Sequence, residues 1–139
     1  MINSLAPNLM VTDVNKSVDF YTNILGFEFI MGVPVGTQNI VTSFLLEEEL
    51  AHAMVKYNTV EFMFHKTFAE EFTEFQGKVP AASLSLYMMV DDVDKYYNQI
   101  KSKATVYHDL KNQWYGNREF YIKDCDGYIL GFAQKVQNI

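Results

Sequence analysis

The stretch that decides the fold is Arg118-Glu-Phe-Tyr-Ile-Lys-Asp-Cys-Asp-Gly-Tyr-Ile-Leu-Gly-Phe-Ala-Gln134. It contains two runs, 118–123 and 128–134, in which large apolar or aromatic residues alternate with smaller or polar ones, as is typical of β-strands. Asp124-Cys-Asp-Gly127 between them has turn composition, because Asp accepts hydrogen bonds from nearby backbone amides and Gly tolerates a positive φ. The stretch therefore predicts a β-hairpin that is central to a sheet.

A short repeat predicts the same local structure at two points of the chain. Val11-Thr-Asp-Val-Asn-Lys16 and Val90-Asp-Asp-Val-Asp-Lys95 agree at four of six positions, at an offset of 90 − 11 = 79 residues. Each follows a predicted strand, and Thr12-Asp13 or Asp91-Asp92 supplies a helix N-cap. The offset is too long for a solenoid repeat, so it indicates two related modules.

Each half is predicted to run strand–helix–strand–strand–strand. The fold class is therefore α+β, with two βαβββ modules forming a curved mixed sheet around a cleft and the helices outside. We predict one domain over 1–139, with a first module at about 1–66, a helical connector at about 67–80 and a second module at about 81–139. The remaining predicted strands are Leu5–Val11, Phe27–Val33, Ile40–Leu46, one within Val55–His65 (most clearly Val60–His65), Ser83–Val90 and Ala104–Asp109, with a loop at Lys111–Asn117.

The predicted connector begins at the capping box Thr67-Phe-Ala-Glu70 and ends at Gly77. Phe68, Phe72 and Phe75 form one apolar stripe on it, which is typical of a core contact or a dimer seam. The first predicted helix likewise ends at a glycine, Gly26.

Composition excludes several classes of protein. The net charge of −6 over 139 residues leaves no basic stripe for nucleic acid. The single cysteine, Cys125, excludes an internal disulfide, and we see neither a signal peptide nor an 18-residue apolar run, so we expect a cytoplasmic protein outside the membrane. The 11 Phe, nine Tyr and one Trp exceed what packing usually needs, which favours an aromatic pocket or a dimer seam.

Two segments carry a family resemblance, Val11-Thr-Asp-x-x-Lys-Ser-Val-Asp-Phe-Tyr-Thr-x-x-Leu-Gly-Phe27 and Arg118-Glu-Phe-x-x-x-Asp-x-Asp-Gly-Tyr128. With the repeat, they resemble the vicinal oxygen chelate superfamily, which groups glyoxalase I, bleomycin-resistance proteins and extradiol dioxygenases. The resemblance covers essentially the whole chain, although the family usually has Pro where this chain has Cys125. It implies a homodimer.

In metal-dependent members, the resemblance implies one His or Glu ligand from each of four strands. Carried over position by position, those ligands fall on Ala6, Met63, Ser85 and Gly131, which are not ordinary ligands for a divalent ion. We therefore expect no metal and no cofactor. Glu61 and His65, four residues apart on one strand, would lie roughly 13 Å apart and could not easily share an ion.

Strand alternation predicts which side chains line the cleft. We expect Val60, Phe62 and Phe64 to face the helices and Glu61, Met63 and His65 to face the cleft. The loop tryptophan, Trp114, is a stacking platform for a planar or cationic ligand. The full candidate ligand-binding set is Asn8, Met10, Glu61, Met63, His65, Ser85, Tyr87, Trp114, Tyr115 and Arg118.

Purely structural roles are the alternative for several of these residues. Met10, Met63 and Met89 could simply fill a core, and Arg118 could pair with a surface carboxylate. His52, in a predicted loop, is expected to be an ordinary surface or hydrogen-bonded histidine.

The leading hypothesis is a metal-free binding protein similar to the bleomycin-resistance branch, which sequesters a bulky aromatic or cationic small molecule and needs no catalytic residue. One alternative is a metal-dependent lyase or dioxygenase of the superfamily with a non-standard site. Another is a metal-free enzyme that uses Glu61 or His65 as general base. A third is an interaction module whose aromatic surface forms a dimer seam.

Overall fold

A computed structural model describes residues 1–66, 74, 77–81 and 83–138, and it divides the chain into two compact units, Met1–Pro80 and Ala81–Ile139. Each unit contains one four-stranded mixed sheet and repeats the order strand–helix–strand–strand–strand. The α+β class with two βαβββ modules is therefore confirmed.

The first module runs through β1 (Asn8–Val11), α1 (Val14–Asp19), β2 (Glu28–Pro34), β3 (Leu50–Tyr57) and β4 (Val60–Lys66). A π-helical segment, Phe20–Ile24, continues α1 directly. The sheet order is β1-β4-β3-β2, with β1 parallel to β4 and the other pairs antiparallel.

The second module has the same topology. It comprises β5 (Ser85–Met89), α2 (Val93–Ile100), β6 (Thr105–Asn112), β7 (Asn117–Lys123) and β8 (Ile129–Lys135). In the order β5-β8-β7-β6 the hairpin strands β7 and β8 are the two inner strands, so the predicted central hairpin is confirmed.

The two repeated segments have the same capping geometry. The side chain of Asp13 accepts a hydrogen bond from Lys16 N at 3.1 Å, and that of Asp92 accepts one from Lys95 N at 3.0 Å. Both caps have extended backbone, with φ of −140° and −138°. The repeat thus encodes the start of each helix by satisfying an amide that the first turn leaves unpaired.

The turn between β7 and β8 is organised by Asp124. Its Oδ1 accepts hydrogen bonds from the backbone amides of Asp126 and Tyr128, both at 2.9 Å. Gly127 has a φ of +93°, a conformation that a side chain would strain. The predicted turn chemistry is confirmed.

The predicted strand Ile40–Leu46 is wrong. Only Val41 in this segment forms a bridge, with Gly32, and Ile40, Leu45 and Leu46 are exposed. A side chain organises the end of this segment instead, because Asn15 Nδ2 donates to the carbonyls of Leu46 and Glu48, at 3.1 and 2.7 Å.

The third strand is instead Leu50–Tyr57, so the placement of His52 in a loop is also wrong. The fourth strand, predicted most clearly at Val60–His65, is confirmed as β4, and it forms a hairpin with β3 in which Tyr57 pairs with Val60. The turn between them is made by Asn58, whose φ of +52° is one that Asn adopts more readily than most residues. β6 also extends three residues further than predicted, into the predicted loop.

Each sheet packs one face against its helix through aromatic rings. In the first module Tyr21 contacts Phe62 and Phe64 of β4 at centroid distances of 5.2 and 4.8 Å. In the second, Tyr96 of α2 contacts Phe132 at 5.1 Å. Because side chains alternate across a strand, these contacts determine which residues lie on the opposite face.

Most of the predicted connector helix, including its Phe68, Phe72 and Phe75 stripe, lies outside the described residues. Within the described part of the chain, no helix has the length and apolar character needed to cross a membrane.

Candidate functional site

The ten candidate residues divide equally between the two modules. The first module carries Asn8, Met10, Glu61, Met63 and His65, and the second carries Ser85, Tyr87, Trp114, Tyr115 and Arg118. A ligand site made from all ten stays a prediction, and the two groups are described separately below.

In the first sheet, the five candidates share the face opposite α1, here called the histidine face. Asn8 pairs with Met63 and Met10 with His65 across the parallel β1–β4 ladder. β3 adds the cross-strand partners of the β4 residues to this face. On β1, β3 and β4 the histidine face comprises Asn8, Met10, His52, Met54, Lys56, Glu61, Met63 and His65, and on β2 it continues through Met31 and Val33, the partners of Met54 and His52.

The predicted strand register is therefore the one observed, with Phe62 and Phe64 on the helix side. His52, which sequence reasoning placed in a loop, joins the candidate residues on this face. His52 Nδ1 lies 3.1 Å from His65 Nδ1, and the ring centroids are 5.3 Å apart. Glu61 Oε1 lies 3.8 Å from Lys56 Nζ, a partly exposed ion pair.

The face of the second sheet opposite α2, here called the tyrosine face, centres on a buried carboxylate. Glu119 is only 2% exposed, and its two carboxylate oxygens accept hydrogen bonds from the hydroxyls of Tyr87 and Tyr115. The amide of Asn117 donates to the Tyr87 hydroxyl at 2.9 Å. The tyrosine face includes Ser85, Tyr87, Met89, Asn117, Glu119, Tyr121, Gly131 and Ala133, with Tyr115 reaching it from the β6–β7 loop.

The carboxylate affects the acidity of the surrounding phenols. Burial and the hydrogen bond to Glu119 raise the pKa of Tyr87 from 10.0 to about 12. The hydrogen bond to Glu119 and then burial raise the pKa of Tyr115 further still. Burial and the nearby negative charge also raise the pKa of Tyr121. All three phenols therefore stay protonated at neutral pH and act as hydrogen-bond donors or neutral aromatic surface.

Gly131 is required by this packing. A Cβ at position 131 would lie 2.6 Å from Tyr121 Cε1, which is closer than real Cβ contacts allow, and 3.0 Å from Tyr87 Cδ1, which is tighter than most of them. The two rings thus occupy the space in which a side chain at this position would project.

Aromatic surface continues beyond the carboxylate. Trp114 is 84% exposed and its ring lies 5.4 Å from that of Tyr115 in an edge-to-face arrangement. Tyr87 and Met89 are also exposed, and Ser85 lies at the β5 end of the same face. An exposed indole adjoining a phenol–carboxylate cluster is suited to stack on a planar group or attract a cation.

Arg118 has its hydrogen-bond partners elsewhere, and its place in the candidate site stays a prediction. Arg118 alternates with Glu119 on β7, and its Nε and NH2 atoms donate to Asp94 of α2 at 3.1 Å. Its NH1 donates to Asn112 at 3.1 Å. The guanidinium therefore links β7 to the helix side of the sheet, as the surface-carboxylate alternative anticipated.

The four positions where the resemblance implies metal ligands do not suit a divalent ion. Ala6 has no donor, Met63 offers only a thioether, and Ser85 lies at an exposed strand end. At Gly131 the tyrosine rings fill the space that a ligand side chain would need. Among the described residues, no three His, Cys, Asp or Glu side chains are grouped as a metal site would require.

Comparison with known proteins places the fold in a family. A family model described as the glyoxalase/bleomycin resistance protein/dioxygenase superfamily matches residues 2–132. The chain belongs to this superfamily.

Within the superfamily, the chain is 29% identical over 143 residues to a bleomycin resistance protein of Geobacillus stearothermophilus, covering 95% of this chain and 96% of the relative. A superfamily structure from Sphaerobacter thermophilus has a TM-score of 0.73 at 17% identity, covering 97% and 99% of the two chains. TnmS3, an antibiotic binding protein from Streptomyces, has a TM-score of 0.68 at 21% identity, covering 96% and 97%. The two structural likenesses concern the fold alone.

Glu119 is the functional candidate that sequence reasoning missed in this superfamily member. It lies inside the Arg118-Glu-Phe motif used for the resemblance, and alternation with the helix-facing Phe120 already assigns it to the opposite face. That alternation was the available signal. Tyr115 lies only four residues before Glu119 and Tyr87 lies 32 residues before it, but the sequence does not show that either hydroxyl bonds the carboxylate.

Proposed function

We propose that this protein binds a bulky aromatic or cationic small molecule and holds it without chemical change. The observation that carries the proposal is the buried Glu119 carboxylate, bonded by two tyrosine hydroxyls beside the exposed Trp114. Aromatic rings around a desolvated carboxylate attract organic cations by both charge and quadrupole.

The comparisons support the same class of activity. The relatives at 29% identity are bleomycin resistance proteins, and TnmS3 is an antibiotic binding protein. The poor fit of the four superfamily ligand positions to a divalent ion favours binding that needs no metal there. We further propose that the protein acts as a homodimer in the cytoplasm and uses no cofactor.

The test is calorimetric titration with bleomycin and with a panel of aromatic and cationic compounds. Trp114 is the single tryptophan, so its emission reports binding near the tyrosine face independently. We expect saturable one-to-one binding that shifts this emission. A panel without any saturable ligand would contradict the proposal.

A substitution separates the contribution of the Glu119 charge to ligand binding from that of its shape. Glu119→Gln keeps the shape but removes the charge, so it should weaken cation binding at least about tenfold. Tyr57→Phe is the control, because Tyr57 is an exposed ring in the first module that packs edge-to-face on Phe27, with ring centroids 5.5 Å apart. Equal loss in both variants would argue against a site at Glu119.

The enzyme alternatives make different predictions. In a metal-free enzyme Glu61 or His65 would act as base, yet Glu61 lies beside Lys56 and His65 Nδ1 lies beside His52 Nδ1. Recovery of the bound compound unchanged after prolonged incubation supports the binding role. Turnover abolished by Glu61→Gln or His65→Gln would establish the enzyme instead.

A further inference from the structure

Four side chains at the centre of the histidine face form a cross-strand rectangle. His52 pairs with His65, and one row along, Met54 pairs with Met63. All four are half-buried, so the group is sheltered but reachable from solvent. Residues opposite each other on antiparallel strands have Cβ atoms about 4.5–5.5 Å apart.

The two imidazoles already have the spacing of a metal-chelating pair. The 3.1 Å between His52 Nδ1 and His65 Nδ1 joins the atoms that point toward each other between β3 and β4. Two ring nitrogens bound to one ion at about 2.0–2.1 Å and near-tetrahedral angles lie about 3.3 Å apart. The observed distance therefore needs only a small opening to admit an ion in place of the shared hydrogen bond.

The second row supplies the softer donors. Met54 and Met63 are unbranched, with three side-chain torsions each, so their thioethers can turn toward the imidazoles one row away. Thioethers select soft ions, while imidazole serves both soft and borderline ions. The four side chains contain no carboxylate, and the next row, Lys56 and Glu61, is an internally compensated ion pair.

We propose that His52, His65, Met54 and Met63 form a binding site for one soft monovalent transition-metal ion, of the copper(I) or silver(I) type. This site shares only Met63 with the four positions at which the superfamily resemblance implies ligands. It lies wholly within the first module and is independent of the ligand-binding role proposed for the tyrosine face.

The experiment uses protein whose free Cys125 thiol has been alkylated, because that thiol would itself bind a soft ion, and titrates it with silver(I) nitrate in chloride-free buffer, with copper(I) competed against bicinchoninate as a second probe. The chain has seven methionines, so methyl-labelled NMR resolves which thioethers respond. We expect one ion per chain and large methyl shifts at Met54 and Met63. This readout needs no substitution and does not depend on the folding of any variant.

Substitution then tests the donors. Met54→Leu combined with Met63→Leu preserves volume, and it should lower silver(I) affinity at least about tenfold because only imidazole donors remain. Met89→Leu is the matched control on the second module, since Met89 is 59% exposed, and it should leave affinity unchanged. His65→Gln should abolish one-to-one binding.

Three results would overturn the proposal. One is no silver(I) or copper(I) binding at micromolar protein concentration. Another is methyl shifts at other methionines with Met54 and Met63 unmoved. The third is zinc(II) binding that exceeds silver(I) binding and persists in the double-leucine variant, which would make the imidazoles a borderline-metal site.

Discussion

Gly131 shows how a single missing side chain shapes the tyrosine face. The rings of Tyr121 and Tyr87 fill the space beside its Cα, so the Glu119 cluster and the glycine depend on each other. The sequence identified this position only as one where a superfamily ligand is absent. The steric reason could not be predicted, because it requires the rotamers of two tyrosines from different strands.

Gly131→Ala should therefore destabilise the protein by about 1–3 kcal/mol, the usual cost of overpacking. The measurement is urea unfolding followed by circular dichroism. The control is the same substitution in a Tyr121→Ala background, where the closest obstructing atom, 2.6 Å away, is removed. The cost should shrink in that background. An equal cost in both backgrounds would show that the tyrosine ring is not the obstruction.

The raised pKa of Tyr87 predicts a loss of stability at alkaline pH. The folded protein holds a phenol proton to about pH 12, whereas the unfolded chain releases it near 10.0. The contribution of this protonated phenol to the free energy of unfolding is fully present below pH 10 and is lost as the pH rises from about 10 toward 12. Unfolding free energies measured across this range should fall.

Glu119→Gln should lower the pKa of Tyr115 most among the three phenols, because the hydrogen bond to Glu119 is the largest cause of its shift. The pKa of Tyr87 should fall less, since burial and not the bond to Glu119 is the largest cause of its raised value. Titration of ring-labelled tyrosines by NMR resolves the individual phenols. Unchanged titration of Tyr115 would contradict the hydrogen-bonded arrangement.

At the scale of elements, the helix starts were predictable because their signals are local. Asp13 and Asp92 lie within three residues of the amides they bond, so the sequence alone specifies the geometry. The third strand was not predictable in the same way. The exposed segment 40–46 has an apolar content comparable to that of the true strand, so composition does not distinguish them. The hydrogen bonds that Asn15 donates to Leu46 and Glu48 in the structure span more than 30 residues and are not a local signal.

Asp92→Ala should cost about 0.5–2 kcal/mol of stability through the lost N-cap of α2. Asp91→Ala is the matched control, since its carboxylate is adjacent in sequence but outside the bond to Lys95. Thermal unfolding of both variants measures how much stability each substitution costs. If the two substitutions cost the same, the cap contributes nothing specific.

For the whole molecule, the topology followed from one repeated hexapeptide and one hairpin, because a β-α-β-β-β order leaves few ways to pair four strands. The candidate site was only partly predictable. Alternation assigned residues such as Met63 and Tyr87 to the correct faces, but it could not reveal that Arg118 bonds Asp94 across to the helix. Those partners depend on tertiary packing.

The homodimer prediction is tested by light scattering after size exclusion. A dimer should have twice the 16.1 kDa mass of the chain.

Elemental analysis of the same preparation, purified without chelator, should show no stoichiometric zinc, nickel, manganese or iron. A monomer at micromolar concentration would contradict the first expectation, and one of these divalent ions per chain would contradict the second.

The matched topology of the modules has an evolutionary consequence. Met10 and Met89, 89 − 10 = 79 residues apart, pair with His65 and Ala133, whose neighbours on the next strand are His52 and Glu119. The two modules thus have aromatic residues on their helix-facing sides, while the opposite faces differ at equivalent positions, with an imidazole in one module and a buried carboxylate in the other. A protein assembled from identical copies would have to change both faces together, whereas tandem copies in one gene can acquire a second chemistry without losing the first.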